Sequence, residues 1–122
     1  MKYTTLIVLS ITLFLLNCTD DDVANENASI SGSVAHHEQL IPSAIVFYKF
    51  DATELPGTSE ADYDGSVIAD SINARYEITG LKAGNYYLYA VGTDTSCKCE
   101  VKGGIPVFVP NGDDAITSNV PV

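Results

Sequence analysis

Residues 73–88 read NARYEITGLKAGNYYL, and this stretch decides the fold. Apolar and polar side chains alternate on both sides of the short connection from Gly80 to Gly84. Such alternation predicts two half-buried strands joined by a tight turn. The side chains predicted to face the core are Tyr76, Ile78, Leu81, Tyr86, Leu88 and Ala90. Tyr87 and Tyr89 fall on the opposite parity and are predicted to face outward.

The same alternation recurs from residue 29 to residue 122. It predicts seven strands, at 30–35, 44–50, 66–70, 74–79, 86–91, 105–109 and 115–122. Seven short strands separated by turns are typical of an all-β, antiparallel sandwich. On the second strand two interpretations stay open, because the alternation does not decide which parity faces the core. Either Ile45 and Phe47 point inward, or Ala44, Val46 and Tyr48 do.

Residues 73–88 resemble the signature of carboxypeptidase regulatory-like domains. In that signature an aromatic-x-aliphatic strand runs into Gly-Leu, followed by a small residue and Gly, and then by Tyr-x-Leu. Residues 30–34 (ISGSV) and 40–46 (LIPSAIV) fit the opening part of the same family. The resemblance implies a transthyretin-like β-sandwich over residues 29–122. It also implies a module of the mostly non-catalytic kind that serves in spacing, adhesion or binding.

The N-terminus predicts an export signal. A single lysine, Lys2, precedes an apolar run at residues 6–16, whose length suits a signal peptide and is too short to span a bilayer. Residues 15–18 (LLNC) resemble the lipobox of bacterial lipoproteins. The resemblance implies that residues 1–17 are removed and that Cys18 becomes the lipid-bearing first residue of the mature chain.

Three acidic residues follow the lipobox, and residues 18–28 are predicted to be a polar tether. Asp20, Asp21 and Asp22 resemble the export signal that lipoproteins of the Bacteroidetes carry beside the lipidated cysteine. That resemblance implies a lipid-anchored protein of the bacterial outer membrane, exposed at the cell surface. The membrane is then a partner through the lipid anchor.

The length and the charge of the chain reduce the number of possible functions further. The chain has 122 residues, enough for one domain, and a formal net charge of −10. Such an anionic excess argues against a nucleic-acid partner, because phosphate binding needs clustered cations. Glycine-rich phosphate loops and recognised catalytic motifs are missing from the sequence. We therefore expect a protein that is not an enzyme.

Two histidines and two cysteines form a candidate site for a metal ion. His36 and His37 lie in the predicted turn after the first strand, and Cys97 and Cys99 lie between the fifth and sixth strands. If the strands run alternately up and down, both loops lie at one end, where imidazole and thiolate could bind zinc or copper. Against this, neighbours on an extended strand point to opposite faces, and the cysteines could form a local disulfide. No other cofactor is expected.

Tyr87 and Tyr89 form a candidate ligand face, because side chains two apart on a strand share one side of the sheet. They could stack on a sugar or a partner protein, or they could simply cover the sheet.

The leading hypothesis is a non-catalytic, lipid-anchored binding or interaction module of the cell envelope, with an envelope protein or a glycan as partner. One alternative is a small metal-binding or redox-responsive lipoprotein that uses the histidine and cysteine loops. A glycan-binding accessory protein is the other alternative. Acidic residues at 51–64 could also offer oxygen ligands to calcium, but the pattern favours a flexible, solvated anionic loop.

Overall fold

The structure is a computed structural model that describes residues 25–122. The predicted signal peptide, Cys18 and the three aspartates after it lie outside the described residues. The described residues form nine strands: β1 (Ala28–His36), β2 (Gln39–Leu40), β3 (Ile45–Phe50), β4 (Gly65–Ile68), β5 (Arg75–Leu81), β6 (Gly84–Asp94), β7 (Cys99–Val109), β8 (Ala115–Thr117) and β9 (Val120–Pro121). Between residues 25 and 122 the only helical element is one 3-10 turn, Glu60–Asp62. No helix in this part of the chain is long and apolar enough to cross a bilayer.

The strands form two sheets packed as a sandwich. One sheet has the order β4-β3-β6-β7, and every pairing in it is antiparallel. In the other sheet β1 is central and pairs with each of β2, β5, β8 and β9. The expected all-β, two-layer architecture is confirmed.

The predicted core is confirmed side chain by side chain. All six residues expected to face inward are buried, and Ile78 and Leu88 are among the largest fully buried side chains. On β3 the core side is taken by Val46 and Tyr48, whereas Ile45 lies on the outer side. Burial of such apolar surface supplies most of the folding free energy.

The predicted last strand, 115–122, is wrong in two respects. It is split into β8 and β9, and both pair with β1 in parallel, so the sandwich of residues 28–121 is neither seven-stranded nor wholly antiparallel. The break lies at Ser118 and Asn119, because the Asn119 side chain accepts a hydrogen bond from the backbone N–H of Ser33 at 3.0 Å. The Tyr76 hydroxyl donates to the carbonyl oxygen of Ser118. Contacts between distant residues therefore interrupt a strand that local alternation predicts to be continuous.

The fifth and sixth predicted strands, 86–91 and 105–109, are both longer in the structure. As β6 and β7 they form a hairpin paired over eleven residues, from Gly84 opposite Val109 to Asp94 opposite Cys99. Strand β7 includes Gly103 and Gly104, and glycine is disfavoured in strands by its local conformational preference. Each glycine admits a close neighbour: a Cβ at Gly103 would lie 2.5 Å from the carbonyl oxygen of Pro121. Tertiary packing thus overrides the local signal.

Candidate functional site

The outer side of the four-stranded sheet carries a group of rings that we call the outer aromatic face. Its members are Phe47 of β3, Tyr87 and Tyr89 of β6, Pro106 and Phe108 of β7, and Tyr63 from the segment before β4. Strand register places the members in rows, with Phe47 opposite Tyr89 and Tyr87 opposite Pro106. Because register is regular, side chains from three strands share one surface.

Tyr89 points outward as predicted, yet it is covered. Only 4% of this residue is exposed, because the ring of Tyr63 stacks on it with 5.7 Å between centroids and 9° between planes. Phe47 closes the cluster at 5.5 Å from the Tyr63 ring and 6.3 Å from the Tyr89 ring. The Tyr89 ring therefore cannot serve as an open stacking surface in this arrangement.

Residues 51–64 are held over the sheet by their own polar groups. The Asp64 carboxylate accepts a hydrogen bond from the backbone N–H of Phe50 at 2.7 Å, and the Tyr63 hydroxyl donates to the carbonyl of Gly57 at 2.7 Å. Ser59 and Asp62 cap the short 3-10 turn reciprocally. Two of the acidic side chains considered as calcium ligands thus accept hydrogen bonds from backbone N–H groups, Asp62 from Ser59 and Asp64 from Phe50.

Packing also changes the acidity of the tyrosine cluster. Burial raises the pKa of Tyr63 to about 12 from an ordinary value of 10.0, with further contributions from neighbouring Tyr89 and Tyr87. A phenol with so high a pKa stays neutral under physiological conditions. It can therefore only donate or accept hydrogen bonds there.

Tyr87 and Phe108 remain accessible on this face. Tyr87 is half-buried and lies across Gly104, where an added Cβ would come within 2.6 Å of its Cε1. Phe108 is 60% exposed and lies opposite Asn85, one row beyond the pair of Tyr87 and Pro106. The sequence offered a signal for Phe108, because it alternates with the buried Val107 and Val109 and so faces outward.

Polar groups border the accessible rings. Lys49 lies opposite Tyr87 on the neighbouring strand, and its Nζ is 3.4 Å from an Asp64 carboxylate oxygen. Asn85 is exposed beside Phe108. The accessible part of the outer aromatic face therefore combines two ring surfaces with a cation, an amide and a carboxylate.

A second candidate region, which we call the end hollow, lies where the β1–β2 and β6–β7 connections meet. Its volume is about 620 Å³, and its lining residues are His36, His37, Glu38, Gln39, Asp94, Ser96 and Cys97. His36 is the last residue of β1 and does not belong to the turn where we expected it. The structure thus brings both predicted histidines and one predicted cysteine around one hollow.

Asp94 organises the end hollow. This buried carboxylate accepts a hydrogen bond from the backbone N–H of Ser96 at 2.8 Å and lies 2.9 Å from Nδ1 of His36. The bond with His36, and then the bonds from Ser96, lower the pKa of Asp94 from 3.8 to about 2. Asp94 is therefore an anion at neutral pH that ties β1 to the β6–β7 turn.

Cys97 and Cys99 form a disulfide with 5.2 Å between their Cα atoms. The bond closes the exposed turn in which Lys98 adopts a φ of +56°. Within residues 25–122, no group of three or more His, Cys, Asp or Glu side chains is arranged to hold a metal ion. With the disulfide formed, the predicted zinc or copper ligands are thus not assembled into a site.

Comparisons with known proteins found a likeness among solved structures. No family model and no curated protein matches the chain. Among solved structures the chain is similar to a protein from Pseudomonas aeruginosa described as a "putative carbohydrate binding protein". The identity is 12%, the match covers 82% of this chain and 92% of that chain, and the TM-score is 0.49. At this level of likeness, neither residue roles nor a ligand transfer to this chain.

Proposed function

We propose that this protein is a non-catalytic, lipid-anchored module of the bacterial outer membrane that binds a glycan on its outer aromatic face. The ligand would lie over Tyr87 and Phe108. The observation that carries the proposal is the accessibility of the Tyr87 and Phe108 rings on one side of the sheet. Polar side chains border these rings: Asn85, and the ion pair of Lys49 and Asp64. A glycan needs both kinds of contact, because its ring faces are apolar and its edge carries hydroxyl groups.

Each part of the face has a role in this proposal. The Tyr87 ring lies across Gly104, which has no side chain, so the ring can pack directly on the backbone of β7. Phe108 occupies the diagonal position in the next row, and positions diagonal to each other on paired strands lie about 7–8 Å apart. Asn85, Lys49 and the Asp64 carboxylate supply hydrogen-bonding groups at the border.

The remaining parts of the proposal follow from the sequence. Cys18 would carry the lipid, Asp20, Asp21 and Asp22 would direct export, and residues 18–28 would act as a tether. We also propose that the sandwich is of the transthyretin-like type. The turn between β5 and β6 supports this, since Leu81 is buried and Gly80 and Gly84 have φ values of +71° and +143°. Left-handed backbone of this kind favours glycine at the positions that the family signature requires.

A carbohydrate array tests glycan binding. The full chain carrying Cys18→Ser, in detergent, is applied to arrayed bacterial and host glycans, and each bound glycan is then titrated. We expect Tyr87→Ala and Phe108→Ala each to weaken binding about tenfold or more, since a lost aromatic contact costs about 0.5–1.5 kcal/mol beyond the buried area. Ile72→Ala, which removes an exposed apolar side chain elsewhere, should bind normally. If the unaltered protein binds no glycan, or both aromatic variants bind normally, the proposal is wrong.

Metabolic labelling with palmitate tests the anchor. The label should appear in the unaltered protein and disappear in Cys18→Ser. Label that persists in Cys18→Ser would contradict lipidation at this residue. Accessibility of the unaltered protein to protease added to intact cells tests surface exposure.

A further inference from the structure

The glycan proposal makes no use of the end hollow, although its side chains are arranged around one space. His36, His37 and Cys97 line the hollow together with the buried Asp94. Imidazole and thiolate are the preferred ligands of zinc, and a carboxylate behind a ligand histidine is its usual support. The residue types of a zinc site are therefore present at the end hollow, whose lining shares no residue with the outer aromatic face.

His36 is held in the tautomer that a metal ligand needs. Its Nδ1 is 2.9 Å from an oxygen of Asp94, and a carboxylate oxygen can only accept the hydrogen bond. The proton therefore lies on Nδ1, which leaves the lone pair of Nε2 free. The second oxygen of Asp94 is occupied by Ser96, whose hydroxyl donates to it at 2.6 Å. Asp94 thus fixes the orientation of the His36 ring.

His37 approaches His36, contrary to the expectation for an extended chain. With a φ of +59°, His37 leaves the strand conformation directly after β1. The two imidazole rings consequently lie side by side, with 4.4 Å between centroids and 38° between planes. The objection that neighbouring histidines must point to opposite faces does not apply at this position.

The sulfur atom at the hollow is chemically blocked. Cys97 lines the hollow, but its sulfur is bonded to that of Cys99 and cannot act as a thiolate. Thiolate is the form that binds metal ions. Residues 95–100 are all exposed, so a small reductant has access to the disulfide.

We propose that reduction of the Cys97–Cys99 disulfide converts the end hollow into a zinc site formed by His36, His37 and Cys97. A dithiol supplies two electrons and two protons: its sulfur atoms become a disulfide, and Cys97 and Cys99 become thiols. The Cys97 thiol releases its proton to solvent as zinc binds. Water completes the tetrahedral coordination, and Asp94 acts as a positioning residue through His36.

Zinc binding to the oxidised and reduced protein tests the proposal. The full chain carries Cys18→Ser, so that Cys97 and Cys99 are its only cysteines, and the dithiol is removed by desalting under inert gas before titration. We expect one zinc ion per reduced chain and at least a 100-fold weaker affinity in the oxidised chain. Equal affinity in the two states, or no binding to the reduced chain, would overturn the proposal.

The two cysteines provide a matched pair of variants. Cys99→Ser leaves a thiol at Cys97 that has no disulfide partner, so we expect zinc binding without a reductant. Cys97→Ser leaves only the thiol at Cys99, and we expect it to bind at least 100-fold more weakly. Cobalt substitution gives a second readout, since a sulfur-to-cobalt charge-transfer band should appear in Cys99→Ser but not in Cys97→Ser. Equal zinc affinity in the two variants would exclude Cys97 as the ligand.

Asp94→Asn separates positioning from folding. The amide keeps the size of the side chain but can present its NH₂ group to Nδ1, which releases the tautomer. Loss of such a support typically costs about 10–100-fold in metal affinity, and we expect this loss in reduced Asp94→Asn with the charge-transfer band of cobalt retained. A circular dichroism spectrum identical to that of the unaltered chain confirms folding. Unchanged zinc affinity would exclude the positioning role.

Discussion

The outer aromatic face and the end hollow share strand β6 but are built in different ways. On the face, side chains are placed by strand register, so that residues from three strands meet in regular rows. In the end hollow they are placed by connections that contain single left-handed residues, His37 and Lys98. Strand register repeats every two residues and follows from the alternation of apolar and polar side chains. A left-handed residue, by contrast, occurs at a single position of a turn and belongs to no repeating pattern. Changes to the two regions should therefore have separable effects.

The largest effect is expected for Gly104→Ala on the face. The new Cβ would lie 2.6 Å from Cε1 of Tyr87 and would also press on the backbone of Leu88. We expect a loss of about 1–3 kcal/mol in the free energy of unfolding, measured by urea denaturation, together with weaker glycan binding. Lys102→Ala, on the same face of the same strand, is the control and should be nearly neutral. An unchanged stability of Gly104→Ala would show that the Tyr87 ring does not lie across this glycine.

Asp94→Asn tests how much the Asp94 carboxylate contributes to stability at different pH values. Because the folded pKa of Asp94 is lowered to about 2 from 3.8, its contribution to stability is present above about pH 4. That contribution is lost as the pH falls from about 4 through 2. Thermal unfolding as a function of pH should show a lower melting temperature for Asp94→Asn at pH 7 and a difference that shrinks towards pH 2. A difference that stays constant over this range would contradict the hydrogen bonds that Asp94 accepts from His36 and Ser96.

Tyr63 tests whether the cover over Tyr89 is a packing contact. Tyr63→Ala removes the ring stacked on Tyr89 and should lower the free energy of unfolding by about 0.5–1.5 kcal/mol. Tyr63→Phe keeps the ring and should retain most of this stability. In a spectrophotometric titration, Tyr63→Phe should also lack one tyrosine that ionises near pH 12. Equal stabilities of the two variants would show that the stack contributes nothing.

The smallest effect is expected at the border of the face. Lys49 and Asp64 are 3.4 Å apart, and both side chains are more than one third exposed. Exposed ion pairs contribute about 0–1 kcal/mol, so Lys49→Ala should change the free energy of unfolding by about 0.5 kcal/mol or less at physiological salt. Glycan affinity should fall more than stability does. A large loss of stability would instead mean that Lys49 supports the sheet.

The strands and the core could be predicted because they depend on a local pattern. The alternation at residues 73–88 identified Tyr76, Ile78 and Leu88 as buried, and the structure confirms each of them. The cover over Tyr89 could not be predicted in this way. Tyr63 is 26 residues away along the chain, and the alternation on β6 carries no information about what folds over the strand from outside.

The end hollow, too, could be predicted from the sequence only in part. The sequence indicated that the histidine and cysteine loops could share one end, and it left a local disulfide and free thiols as equal alternatives. It offered no signal for Asp94, whose importance depends on a contact with His36 over 58 residues of chain. Nor could it indicate that His37 turns back towards His36, because a non-glycine residue with positive φ is stable only where the surrounding contacts hold it.

By itself, the sequence determined which side chains of residues 73–88 face the core, since two-residue alternation reflects the geometry of a strand wherever that strand is placed. It also contained the N-terminal pattern from which export and lipidation are proposed. The tertiary structure decided the parallel pairing of β8 and β9 with β1, the cover over Tyr89 and the meeting of His36 with Asp94. These features depend on contacts between residues far apart in the chain, whose free energy is gained only once the chain has folded.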